Sequence, residues 1–302
     1  MSTQESEISP SRLFLPPEIT DLIISFVELG DCFTLASCAL VCRSWLPASQ
    51  HRLLQLIRFW PNSRWRYDLL VSHVLRDEKS KHLLGAVHHI LIDDGENEDT
   101  LSAVAYRFLP AFPHHLPNLR VLEFAGCSWV NRSHPHLGAV VAAMSSFSSL
   151  TELSLLGVTF PSFGFFRRMV VAIPALTNLT LSRIRWPHTS LPAWLTSPER
   201  SPRQLHLSTL GLDVFLWTLD VTDVLLPWLL KSVATETIDS LVLHSPPEHL
   251  GDHNFFKHIG PHVAKLTIDL QLTSRRSKES FACRRLTIFN VQEILSFPIS
   301  PI

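Results

Sequence analysis

Residues 150–155, LTELSL, and residues 176–181, LTNLTL, repeat one six-residue pattern: an apolar anchor, two intervening positions, then two leucines separated by a polar residue. Alternation with a period of two over so short a run predicts a strand with one buried face, Leu153 and Leu155 in one copy and Leu179 and Leu181 in the other. Such a strand hides little by itself. A chain that repeats it must stack the copies so that neighbours share a core.

Further copies lie on both sides. Val87-Ile90-Ile92 and Leu119-Leu122-Phe124 precede the pair, and a shorter Leu205-Leu207, then Ile238-Leu241-Leu243 and Val263-Leu266-Ile268, follow it, with Leu286-Ile288 as a further candidate. The middle positions 90, 122, 153, 179, 205, 241 and 266 are 32, 31, 26, 26, 36 and 25 residues apart. Most intervals hold a segment of helical period bounded by Pro, Gly or Asp, at residues 99–109, 137–144, 163–173, 220–233 and 252–259. The expected architecture is α/β, a solenoid over residues 83–302 with a curved, mostly parallel sheet, the array being unusually short or truncated at its C-terminal end. An ordinary α/β domain whose buried strands carry the same alternation is the alternative that the spacing leaves open.

In the solenoid register, the residues between the anchors line the face of the sheet away from the helices. These are Glu123, Ser154, Thr180, His206, Val242 and Thr267 in the centre, with Ala125, Ser182, Ser208, His244 and Asp269 beside them, the candidate substrate-binding surface. It reads as polar and nearly neutral, with no Arg cluster suited to a phosphorylated segment. Trp129, Trp186, Trp194, Trp217 and Trp228 fall in the same half, and large aromatics there are expected in the core between repeats rather than as binding anchors.

The N-terminal part has a different period. Residues 15–45 read LPPEITDLIISFVELGDCFTLASCALVCRSW. Pro16 and Pro17 suit a helix start, and Glu18 sets negative charge on the positive end of the helix dipole. Ile19, Leu22, Ile23, Phe26 and Val27 then form one apolar stripe, which Gly30 is expected to end. Asp31 is placed to cap a second helix, and Ser44 a third with Pro47 in its first turn. Burying a large apolar side chain is worth about 1.5–3 kcal/mol while ordering a residue costs about 1.5 kcal/mol, so a unit this small is marginal alone. Leu13, Leu15, Ile24, Leu40, Val41 and Trp45 lie off the stripe, and a surplus of this kind is expected to face a partner. Pro61-Asn62-Ser63 then interrupts the chain, and Trp65 to Leu75 has the period of a helix that could cap the first repeat.

Leu15-Pro16, Glu18-Ile19, the pair Ile23-Ile24, Asp31, Leu35 and the run Val41-Cys42-Arg43-x-Trp45 stand at the intervals of an F-box, and residues 12–60 resemble that family. The wording LASCALVCRSW is similar to F-boxes of mushroom-forming fungi. The aromatic that commonly follows the Trp is replaced by Leu53, Leu54 and Leu56, so the end of the domain is not marked. The repeats resemble degenerate leucine-rich repeats: where that family has Asn or Cys three places after the second leucine of the pair, only Cys127 complies, and Val158 and Ile184 stand at the others. The resemblance implies residues 1–11 as a disordered lead, an F-box at 12–60, a linker and capping helix at 61–82, and the solenoid beyond.

Composition adds exclusions. Twenty-six Lys and Arg balance 27 Asp and Glu over 302 residues, and they are spread along the chain, which disfavours nucleic acid. No apolar run is long enough to cross a bilayer, and the N-terminal MSTQESEISPSR is unlike a signal or transit peptide. The five cysteines include no C-x-x-C pair, which fits reduced thiols in the cytoplasm or nucleus.

Nucleophile elbows, phosphate loops, dinucleotide fingerprints and H-E-x-x-H are all missing from the sequence, so neither an enzyme nor a cofactor is expected. His249, His253, His258 and His262 form two H-x3-H pairs that could aim imidazoles at a metal, but Gly260-Pro261 interrupts the helix between them and no Glu base occupies the interior of either pair. A solvated helix face is the favoured reading of all four.

What the resemblance implies is an adaptor without chemistry of its own. The F-box would dock on the Skp linker of a cullin-RING ubiquitin ligase through Leu15, Pro16, Ile19, Ile23, Val41, Cys42 and Trp45, cullin would be engaged indirectly, and the repeats would hold a protein substrate. The alternatives are a scaffold that takes part in no ligase and, less favoured, a metal-dependent enzyme built on the four histidines.

Overall fold

The computed structural model describes residues 16–61, 64–78, 80–95, 103–112, 114–130, 137–187, 204–213, 219–244, 254–270 and 284–289. Its contacts divide the chain into two compact units, residues 1–56 and 57–302.

The first unit is helical: α1 (Pro17–Ser25), α2 (Cys32–Val41) and α3 (Leu46–Gln55). Helix α1 stops well before Gly30, the stop expected from the sequence. Its end is closed instead by Arg52 of α3, whose guanidinium donates to Ser25 O at 3.0 Å and Val27 O at 3.1 Å, carbonyls that the helix itself leaves unpaired. Asp31 caps α2 as expected, accepting from the Thr34 amide at 2.9 Å and the Thr34 hydroxyl at 2.6 Å. The third cap is corrected. Trp45 precedes α3 with no side-chain hydrogen bond, Pro47 does sit in the first turn, and the Ser44 hydroxyl lies 2.9 Å from Cys42 Sγ.

Ile24, expected among the surplus residues that face a partner, is turned inward instead. Ile24 is buried with Thr20, Leu35 and Ser49, whereas Ile19, Leu22, Ile23 and Phe26 of the apolar stripe are exposed. Helical geometry places Thr20 and Ile24 together on a face beside that stripe, and the unit offers too few residues to cover both.

The second unit begins in β1 (Leu56–Phe59) and continues through α4 (Arg64–Leu69), which runs on as a π-helical turn (Leu70–Leu75), and a 3-10 turn (Lys81–Ala86). Strands β2 (His89–Asp93), β3 (Val121–Ala125), β4 (Glu152–Leu156), β5 (Asn178–Ser182), β6 (Thr209–Asp213), β7 (Ser240–His244), β8 (Lys265–Leu270) and β9 (Arg284–Phe289) follow. Among the described residues they form one sheet in sequence order. Neighbours from β2 to β8 pair parallel, and β9 turns back antiparallel to β8, so Leu286 and Ile288 are not a further parallel repeat. Helices α5 (Ala103–Ala111), α6 (Leu137–Ser146), α7 (Phe163–Ala172), α8 (Leu219–Ser232) and α9 (Asn254–Ile259) fill the intervals where helical period was read. The result is an α/β array of solenoid type.

Leu122 and Phe124, Leu153 and Leu155, Leu179 and Leu181 all have their side chains fully covered in a single core with the helices. Aromatic rings carry this core across three repeats: Trp129 meets Phe124 at 5.2 Å and Phe160 at 5.0 Å, and Phe166 meets Phe160 at 5.2 Å and Trp228 at 5.5 Å. Trp129 and Trp228 are therefore packing residues and Trp186 is half-buried against Phe163 and Phe166, while Trp194 and Trp217 lie outside the described residues.

Backbone hydrogen bonds fix the register before each strand. The Thr151 amide donates to Arg120 O at 3.0 Å, Thr177 to Thr151 O at 2.9 Å, Ser208 to Thr177 O at 2.8 Å and Asp239 to Ser208 O at 3.0 Å, one rung per repeat. The amides of Glu152, Asn178 and Thr209 donate to the same carbonyls, and the hydroxyls of Thr151, Thr177 and Ser208 add a third donor to each. After β3, β4 and β5 the chain turns through a left-handed residue, Gly126 (φ 60°), Gly157 (φ 64°) and Arg183 (φ 49°). At Gly126 only glycine fits, because a Cβ would lie 2.8 Å from Gly95 backbone. Cys127, Val158 and Ile184 come next, all buried, and Ser128, Thr159 and Arg185 bridge in parallel. The position that takes Asn or Cys in a leucine-rich repeat is here a plain core position.

The strand expected at Leu205-Leu207 is corrected. Leu205 makes an isolated bridge to Val233, and the pairing strand is β6, with Leu210 and Leu212 as its buried pair and Leu207 as the preceding anchor. Leu207-Leu210-Leu212 is the complete triad, and it restores middle positions 179, 210 and 241, each 31 residues apart. His206 is exposed and outside the strand.

Candidate functional site

Two surfaces concentrate the residues singled out in the sequence, one in each unit.

On the helical unit, Leu15 lies outside the described residues. Pro16 is exposed at the start of α1, and Ile19 and Ile23 follow it on the outward stripe with Leu22 and Phe26. Helix α2 adds Phe33, Leu40 and Val41. A turn of 3.6 residues sets Phe33 and Leu40 on one face and the buried Leu35 on the opposite one. Phe33 is 89 %, Leu40 86 % and Phe26 81 % exposed, values rare for such side chains in a compact unit. Phe33 was not singled out in the sequence. Its signal is the pairing with Leu40 one heptad on, in a helix whose single buried residue is Leu35.

Cys42 ends α2 in an extended conformation and is exposed. The Ser44 hydroxyl beside its sulfur, helped by the Trp45 amide, lowers the thiol below its ordinary range. Trp45 is half-buried at the head of α3, a supporting position rather than an outward one. The thiols of Cys32 and Cys42 are exposed and that of Cys38 half-buried, whereas burial drives Cys127 well above the usual thiol range.

On the repeat unit, Glu123, Ser154, Thr180, Val242 and Thr267 occupy one register row across β3, β4, β5, β7 and β8. The β6 member of that row is Gly211, not His206. Leu91 extends the row to β2. One flanking row holds His89, Val121, Glu152, Asn178, Thr209, Ser240 and Lys265, and the other holds Asp93, Ala125, Leu156, Ser182 and Asp213. Ser208, expected beside the row, sits instead in the turn before β6, where its hydroxyl reaches Thr177 O and Asn178 Oδ1. Ser154, Ser182, Asp213 and Thr267 are buried although they point away from the helical core. His89 Nε2 lies 2.7 Å from Glu123 Oε1, poised for an ion pair on protonation though not aligned as a hydrogen bond.

Of the four histidines weighed for a metal, His258 and His262 are exposed and His249 and His253 lie outside the described residues. Among the described residues no group of three His, Cys, Asp or Glu could hold a metal ion, and no helix is long and apolar enough to cross a membrane. Both surfaces are suited to binding, one by apolar contact, the other by hydrogen bonds and charge along a sheet. Comparison with models of known families and with curated proteins returns no match for this chain.

Proposed function

We propose that the chain is a substrate-recognition adaptor of a Skp–cullin–F-box ubiquitin ligase, its helical unit binding the Skp linker and its repeats binding the protein to be modified. The observation that carries the proposal is the outward apolar face of the helical unit. Ile19, Leu22, Ile23, Phe26, Phe33, Leu40 and Val41 are all exposed in a unit whose large covered side chains are few. Covering such side chains is worth about 25 cal/mol per Å², so a face of this kind is stable in water chiefly when a partner shields it. It carries Ile19, Ile23 and Val41 of the seven positions that the F-box motif assigns to the Skp contact, and Pro16 and Cys42 of the same set are exposed as well. The stacked repeats supply the rest of an adaptor, an extended face of hydrogen-bonding side chains turned away from the described helices.

The test is co-purification of the full chain with a Skp-type linker and cullin. Leu15→Ala with Pro16→Ala, and separately Phe33→Asp with Leu40→Asp, are expected to abolish capture of the linker while the circular dichroism spectrum stays that of the parent. Undiminished capture by both variants would remove the assignment. Capture of the linker without cullin would replace the ligase role by that of a tethered scaffold.

A further inference from the structure

We propose that the helix-free face of the sheet takes a Lys- or Arg-bearing segment of the partner protein, with Asp213 as its anchor. This deepens the adaptor reading and rests on the repeats being its partner-binding half.

The central row alone looks neutral because Glu123 is its single charge. The flanking rows change that. From β2 to β6 the face carries the carboxylates of Asp93, Glu123, Glu152 and Asp213 and no Lys or Arg, and Lys265 stands apart on β8. His89 already lies against Glu123. Glu152 is half-buried and has no ion-pair partner among the described residues. In a chain of net charge −1, this is a local excess of one sign over five adjacent strands.

Carboxylates on a surface are ordinarily just solvated. Asp213 is not. It is 5 % exposed, its Oδ2 accepts from the buried Ser182 hydroxyl at 2.8 Å, and its Oδ1 has no hydrogen-bond partner. A buried carboxylate oxygen left unpaired is costly, and carboxylates on the same face add to the cost. A guanidinium or ammonium relieves both at once, supplying N–H donors and the opposite charge. Nucleic acid is excluded as the occupant by the same sign of charge, since its phosphates would be repelled. A protein segment with basic side chains is what the face complements.

The probe is a fluorescein-labelled oligo-arginine peptide, read by anisotropy against the full chain at low salt, with an oligo-glutamate peptide as control. The arginine peptide should bind saturably and the glutamate peptide should not. Asp213→Asn, and separately Asp93→Asn with Glu152→Gln, should each weaken binding by about tenfold. The control set Glu28→Gln, Asp223→Asn and Glu236→Gln removes the same sign of charge from exposed positions elsewhere and should leave binding unchanged. Equal loss in the control set, or full affinity in Asp213→Asn and in the Asp93/Glu152 variant, overturns the proposal. The second variant changes half-buried positions, so it reads out even where Asp213→Asn folds poorly. Linker capture on the same preparations separates the two proposals. A chain that captures the linker but ignores the arginine peptide sinks this one alone, and the opposite outcome sinks the adaptor.

Discussion

Thr180 occupies the space that a side chain on Gly211 would need: a Cβ built there would lie 2.9 Å from Thr180 Oγ1 and 3.3 Å from Thr180 Cβ. The two residues are paired in register on adjacent strands, β5 and β6. Because the clash reaches the Thr180 Cβ, rotation of Thr180 alone cannot relieve it. Gly211→Ala is expected to destabilise by roughly 1–3 kcal/mol, the usual cost of overpacking. Thr180→Ala in the same chain should recover a good part of that loss. Denaturant titration of the four chains of a double-mutant cycle measures the coupling, and additive effects would show that the contact does not matter.

The same repeat is where the sequence misled. Leu205 and Leu207 alternate around His206 as a strand would, which is why the sequence points to a strand there, and both are indeed buried, though not as a strand pair. Leu205 is in fact spent on a bridge to Val233, and Leu207 is the anchor of the next triad. Elsewhere the triads were legible because the anchor and the alternating pair coincide with one strand, and the helix intervals followed from them. The outward stripe of α1 was legible from periodicity as a stripe only; the outward direction of Ile19 and Ile23 was an expectation of the F-box resemblance alone. Periodicity places Ile19, Leu22, Ile23 and Phe26 on one face, and it carries no information on whether the rest of a small unit can cover that face. Asp213 was missed because the strand was set at Leu205-Leu207 instead of β6, Asp93 because the candidate face was not carried onto β2, and Glu152 because its row lies on the side of the centre that was not considered.

Register at this repeat gives a direct comparison. Leu210 is wholly buried in β6 between Leu179 and Leu241, while His206 is exposed. Leu210→Ala should cost about 2–5 kcal/mol and His206→Ala less than about 0.5 kcal/mol, as judged by urea unfolding. A large loss at His206 would restore it to the strand.

The thiols divide by environment. Cys127 is covered and burial raises it well above the ordinary thiol range, so at neutral pH it is both protonated and out of reach. Cys42 is exposed and lowered by the Ser44 hydroxyl. Iodoacetamide applied to the native chain, with the labelled peptides identified by mass spectrometry, should modify Cys42 within minutes and Cys127 only after denaturation. Ser44→Ala should raise the Cys42 thiol, and so slow its labelling near neutral pH, without changing Cys127. Labelling of Cys127 at the rate of Cys42 would contradict the packing of the repeat core.

Asp31 ties the start of α2 to pH. Its carboxyl is held below the ordinary range chiefly by the Thr34 hydroxyl, then by the Thr34 amide. A carboxylate lowered in the folded state lends its stabilisation above the unfolded value, about 3.9, and that stabilisation is lost as pH falls through the folded value. Protection of the α2 amides against hydrogen exchange, with Thr34 as reporter, is therefore expected to be flat from neutral pH down to about 4 and to fall below it, after correction for intrinsic rates. Asn caps helices about as well as Asp but does not titrate, so Asp31→Asn should keep a cap whose strength is independent of pH in this window. The two chains should differ most in slope, not in level. If the parent shows no fall where Asp31 titrates, or if Asp31→Asn falls equally, another carboxyl governs the acid response of this unit and the Asp31–Thr34 cap does not.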